Sequence, residues 1–164
     1  MSEQNKATVR RFEDVFNDKK LDLADEFVAG DYIDHGAMPG QAPGLEGAKA
    51  KWAMYLAAIP DIRVPIEDMM AEGEKVAVRW TAEGTYQGEL LGIPPTGKRI
   101  RFGGISIYRL DEGKVAEVWE QIDMLGFMQQ LGMVVIPGPR LLVRMLVRQA
   151  KKLRSRLPAG QSES

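Results

Sequence analysis

At 164 residues, with 45% hydrophobic and 27% charged side chains, the chain has the size and balance of one ordinary globular domain rather than of a disordered segment. It carries no cysteine and a single histidine, His35. That excludes disulfides, thiolate metal sites, a cysteine nucleophile and any multi-histidine metal site built within one chain. The net charge of −1 averages an acidic body, with 15 Lys+Arg against 22 Asp+Glu over residues 1–136, and a basic tail, with seven basic residues and one acid over residues 137–164. The N-terminal stretch shows no apolar signal region, and no apolar run reaches the roughly 18–20 residues of a membrane span, so a cytoplasmic protein is expected.

In chain order, the spacing of Val9, Phe12, Val15 and Phe16 predicts a helix over residues 3–19. Leu21, Leu23, Ala24, Phe27 and Val28 suggest a second, short helix with Gly30 as its stop. Residues 32–35 read as a short strand ahead of a Gly/Pro-rich loop, and residues 45–59 return to helical spacing until Pro60 ends them. The period then changes to two, predicting strands over residues 63–71, 75–86, 98–110 and 114–122, joined by short turns that favour an antiparallel meander. Residues 124–131 form a further short helix. Three helices followed by an antiparallel sheet make an α+β arrangement, and a curved sheet wrapped on a helix leaves a pocket, with Gly103 and Gly104 permitting the bend.

After the Pro/Gly stretch at 137–139, residues 140–157 predict an amphipathic helix. Leu142, Val143, Leu146, Ala150, Leu153 and Leu157 share one face, and Arg140, Arg144, Arg148, Lys151 and Lys152 spread over the other. The expected organisation is a domain over 1–136 and a basic extension over 137–164. The extension suits docking on the acidic body or on a dimer mate, or contact with an anionic membrane surface. It has no aromatic side chain for stacking on bases, so nucleic acid is not the expected partner.

Asp123 shares a strand face with Gln121 and Trp119 by period two. A carboxylate held in a dry pocket has its pKa raised toward neutrality and can remove a proton next to a carbonyl; a solvated aspartate here would instead cap the following helix. His35, the one side chain with an ordinary pKa near 6.5, could shuttle a proton or fix the loop that follows it, whereas Asp34 points to the opposite face. Arg79 could clamp a carboxylate or an enolate oxygen. Trp52, Tyr55, Trp80, Tyr86 and Trp119 could wall a pocket for a flat or polycyclic ligand.

Several strings carry a resemblance. They are Asp31–His35 before the Gly/Pro loop, Leu45-Glu-Gly47 opening a helix, Gly92–Gly97 (GIPPTG), Tyr108-Arg109 and, most specifically, Gly113–Asp123 (GKVAEVWEQID) continuing to Gly132. Over roughly residues 3–133 the chain resembles the SnoaL-like polyketide and ester cyclases of the NTF2-like superfamily. The resemblance implies a cone-shaped α+β barrel, a homodimer, one apolar pocket per subunit that takes a small apolar or polycyclic ligand, and no cofactor. It assigns general acid/base catalysis to Asp123, assisted by His35, in an aldol-type cyclisation of an apolar carbonyl compound. Phe12, Tyr32, Trp52, Tyr55, Arg79, Trp80, Tyr86, Trp119 and Gln121 are then the expected substrate-binding residues. Two departures stand out. The strand before the aspartate, Ile105–Arg109, lacks the histidine that such cyclases tend to carry. Phe12 and Ser106 stand where the superfamily's steroid isomerases use a tyrosine and a protonated acid, so ketosteroid isomerisation is not expected. Other isomerisations, hydration, hydrolysis or ligand binding without catalysis on the same scaffold are the alternatives.

Overall fold

The computed structural model describes residues 2–133 and 138–154, with side chains as far as residue 149. Helix α1 (Ser2–Asn17) is followed by a 3-10 turn (Leu21–Leu23), the single turn α2 (Ala24–Phe27), strand β1 (Val28–Asp34) and helix α3 (Gly44–Ala58). Strands β2 (Ile66–Glu72), β3 (Lys75–Thr85), β4 (Arg99–Asp111) and β5 (Lys114–Ile122) come next, then α4 (Met124–Gln130) and α5 (Pro139–Arg154). The five strands form one curved sheet in the order β1-β5-β4-β3-β2. The expected meander holds from β2 to β5, where every neighbour is antiparallel.

The short strand expected over residues 32–35 is present but begins earlier, at Val28, and ends at Asp34. Gly30 does not stop a helix but lies inside β1, which starts at Val28 and pairs parallel to β5. The reason is local: Val28 and Tyr32 are both buried, so this segment has a two-residue alternation to satisfy as well as a helical one. Docking against β5 wins over a second helical turn.

Register divides the sheet into two faces. Across the inner face run the rows Val76–Tyr108–Val118–Asp34, Val78–Ser106–Glu120 and Trp80–Gly104–Ile122. The outer face carries the row Met70–Ala77–Ile107–Trp119. Gly104 has a steric task, because a Cβ there would come within 2.2 Å of the Trp80 indole lying across it. The inner face meets the buried stripe of α1 (Val9, Phe12, Val15) and Leu45 and Ala48 of α3. At one end α4 inserts Phe127 against Phe102 and Tyr86, while the Gln130 amide bonds to both backbone groups of Arg101.

The chain divides into two units between residues 132 and 133. In the second, α5 exposes Leu141, Leu142, Val143 and Leu146 as well as Arg140, Arg144 and Arg148, and Leu157, the expected end of this helix, lies outside the described residues. Among the described residues no helix is long and apolar enough to cross a membrane.

Candidate active site

Between α1, α3 and the inner face of the sheet lies a cavity of about 620 Å³, counting the space at its mouth. Its walls are aromatic and aliphatic. Phe12 and Phe16 come from α1, Trp52 and Tyr55 from α3, and Trp80 and Phe102 from the sheet. Phe12 stands 5.3 Å from the Trp52 ring and edge-on to Tyr108 at 5.7 Å. Four of the expected binding residues (Phe12, Trp52, Tyr55 and Trp80) therefore share this wall.

One end of the cavity is polar. Glu120, on β5, accepts a hydrogen bond from the Ser106 hydroxyl at 3.1 Å, and Ser106 in turn accepts one from the Trp80 indole N–H at 2.9 Å. Lys51, on the inward face of α3, forms a 2.5 Å ion pair with Asp34, both side chains less than a tenth exposed, and its Nζ lies 4.0 Å from Glu120. Asp34 also accepts from the Gly36 backbone and the Gln41 amide, so the carboxylate that grips Lys51 fastens the following loop as well. Glu13, buried on α1, accepts a 2.7 Å hydrogen bond from the Tyr108 hydroxyl.

Burial dominates the ionisation of this end. It pushes Glu13 up to about 7, with the charge of Glu120 adding to the effect and the Tyr108 hydrogen bond opposing it. It also raises Glu120 above the ordinary carboxylate range, opposed by the Lys51 charge and the Ser106 hydrogen bond. The Tyr108 phenol is held well above its usual value by burial and then by Glu13. The result is a carboxylate of enhanced basicity beside a fixed cation, in an apolar cavity.

The remaining expected residues lie elsewhere. Tyr32 is buried behind the wall, 6.4 Å from the Trp52 ring. Tyr86 is fully buried and its hydroxyl bonds to the backbone of Leu90 and Ile93, tying down the loop after β3 rather than facing the cavity. Arg79, Trp119, Gln121, His35 and Asp123 belong to the outer face. Arg79 pairs with Glu67. His35 stacks on Trp119 with centroids 4.5 Å apart and bonds through Nε2 to Glu117 at 2.8 Å. Glu117 is itself held by Arg109, and both partners lower its pKa, the His35 hydrogen bond most. Asp123 is exposed and caps α4, accepting from the Gly126 backbone N–H at 2.9 Å. It borders a shallow outer groove with Arg79 and Gln121 and is not part of the aromatic cavity.

Sequence reasoning passed over Glu13, Lys51, Tyr108 and Glu120. A signal was present for the three charged ones, since each occupies a slot that the local period reserves for an apolar side chain. Glu13 follows Val9 by four, Lys51 follows Ala48 by three, and Glu120 alternates with Val118 and Ile122.

A curved mixed sheet with α1 and α3 packed into its concavity around an apolar cavity defines the NTF2-like class of α+β cones. Within that class the chain belongs to the SnoaL-like polyketide cyclase family, whose sequence profile matches residues 6–131. It is 30% identical over 129 residues to the aklanonic acid methyl ester cyclase DnrD of Streptomyces peucetius, covering 76% of this chain and 88% of that one. Its fold is similar to that of a candidate SnoaL-like polyketide cyclase of Jannaschia sp. CCS1, with TM-score 0.73 and 26% identity over 82% of this chain and 96% of that one. It is similar too to AclR of Streptomyces galilaeus, a candidate hydroxylase, with TM-score 0.74 and 25% identity over 96% of this chain and 99% of that one.

Proposed function

We propose that the protein is a cofactor-independent cyclase that closes a ring in an apolar, carbonyl-bearing polyketide intermediate, with Glu120 as the base. The observation that carries this reading is the placement of Glu120 beside Lys51 at the polar end of an aromatic-walled cavity. Glu120 removes a proton from a carbon acidified by a neighbouring carbonyl. The carbanion attacks a second carbonyl of the same molecule, and Lys51 lies close enough to favour negative charge on oxygen. Trp52, Tyr55, Phe12 and Trp80 hold the flat substrate so that its two reacting carbons meet. In this reading Asp123 caps α4 and His35 braces the outer face, and neither handles the transferred proton.

The test is incubation of the full chain with aklanonic acid methyl ester, the compound for which its Streptomyces peucetius relative is named. An intramolecular aldol addition moves a proton and makes a carbon–carbon bond without changing composition, so the expected product has the substrate's mass and a new retention time. Binding without conversion would overturn the cyclase reading in favour of a ligand carrier.

We further propose that the working form is a homodimer joined through the outer face of the sheet. Ile33, Met70, Ile105 and Ile107 are exposed there, interleaved with the paired charges Arg109–Glu117 and Arg79–Glu67. The double substitution Ile105→Asp/Ile107→Asp is expected to yield a monomer by sedimentation equilibrium where the wild type is a dimer. A wild type that sediments as a monomer would refute the proposal.

A further inference from the structure

We propose that Glu13 is the general acid of this site, delivering a proton to the oxygen that ring closure leaves negative; the proposal rests on the cyclase reading above. Both carboxyl groups line the same cavity, Glu13 from α1 and Glu120 from β5, but their partners differ. Glu120 has the Lys51 ammonium 4.0 Å away and the Ser106 hydroxyl donating to it. Glu13 has only the Tyr108 hydroxyl, and among the described residues no cation pairs with it. The groups around Glu13 are Tyr108 of β4, Glu120 of β5, Lys51 of α3 and Tyr32 of β1, with Asp14 beside it on α1, and Arg10 of α1 with Glu67 and Asp68 of β2 line the outer groove that Glu13 also borders. A single negative charge shared between the two carboxyls therefore settles on Glu120, and the proton stays on Glu13. Burial and the Glu120 charge raise Glu13 to about 7, so the proton is retained up to neutrality.

The step balances without any further reactant. Glu120 accepts the substrate's proton, and the electron pair of that C–H bond becomes the new carbon–carbon bond. The π pair of the attacked carbonyl moves to its oxygen, which takes the proton from the free oxygen of Glu13 and becomes a hydroxyl. One proton then returns from Glu120 to Glu13, and both groups are reset. Neither carboxyl can do both jobs at once, since the base must be empty when the acid is full.

The experiment compares wild type, Glu13→Gln and Tyr108→Phe with aklanonic acid methyl ester as probe. Wild type should show a bell-shaped kcat profile whose alkaline limb bends near pH 7. Glu13→Gln still accepts from Tyr108 but has no acidic proton to give, so kcat should fall by about 10²-fold and the alkaline limb should vanish. In Tyr108→Phe the carboxylate form of Glu13 loses its hydrogen bond, so the limb should move to higher pH with Glu13 still in place. Thermal unfolding supplies a readout independent of turnover. The value for Glu13 is raised on folding, from the ordinary 4.5 to about 7, so the folded state holds the proton more tightly and loses stability as pH climbs through that window. The Tm of Glu13→Gln relative to wild type should therefore rise between about pH 4.5 and 7. Turnover with the alkaline limb unchanged in both variants overturns the acid role and leaves the cyclase reading standing. A wild type that converts no substrate at any pH overturns both.

Discussion

Glu120→Gln should lower kcat by about 10²–10⁴-fold, the usual contribution of a positioned base, while the protein stays folded. Glutamine keeps the shape and still accepts from Ser106, so the relay from Trp80 survives and only the basic oxygen is lost. Burial holds the Glu120 pKa above the ordinary carboxylate range, so its ionised form opposes folding near neutrality and the variant should be no less stable than wild type at pH 7. The informative companion is Asp123→Ala. Removing the α4 cap should cost about 1 kcal/mol and leave kcat within a factor of two. The reverse pattern, with Asp123→Ala inactive and Glu120→Gln active, would move the chemistry to the outer groove beside Arg79 and Gln121.

Lys51→Met is expected to destabilise the fold by about 3–5 kcal/mol, measured by denaturant unfolding. It leaves the Asp34 carboxylate buried without its counter-ion. Asp34 would keep its bonds from Gly36 and Gln41, which compensate only part of the charge. Adding Asp34→Asn should recover a large share of the loss, because the neutral amide needs no cation and its carbonyl oxygen can still accept from Gly36. A cost below about 1 kcal/mol for the single change would mean that water reaches Asp34 and that the pair is not a dry one. The two substitutions also separate roles: both affect the polar end of the cavity, but only Glu120→Gln is expected to lower turnover without lowering stability.

The elements of the fold were legible because each long segment states its period plainly. The α1 stripe and the alternation of β3 through β5 need no tertiary information. β1 was legible only in its second half, since Val28, placed at the end of a helical spacing, is four residues from the buried Tyr32 and fits a strand spacing as well, and only the partner strand β5 decides between them. Period two grouped Trp119, Gln121 and Asp123 on one face; Trp119 and Gln121 do share the outer face of β5, and Asp123 follows the strand's end as the cap of α4. What it cannot supply is the sign of that face, which is fixed by where α1 and α3 pack. The conspicuous residues of the GKVAEVWEQID string drew attention to the odd-numbered face, while the even-numbered Glu120, between Val118 and Ile122, holds the cavity position. Aromatic content served better, because Phe12, Trp52, Tyr55 and Trp80 all wall the cavity, whereas Tyr86 spends its hydroxyl on a loop.

The parallel docking of β1 on β5 also bears on how the chain reaches its native state. Val28 and Val115 pair although most of the domain lies between them in sequence, and loop closure over such a span is slow and entropically opposed until the intervening meander exists. Asp34, Lys51 and Glu120 thus come together only after β5 has been synthesised and paired. During synthesis the two charged groups of the early segment stay hydrated, and the sheet's inner face has no finished chamber to trap a hydrophobic metabolite. Binding capacity arrives in one late event, together with the last strand.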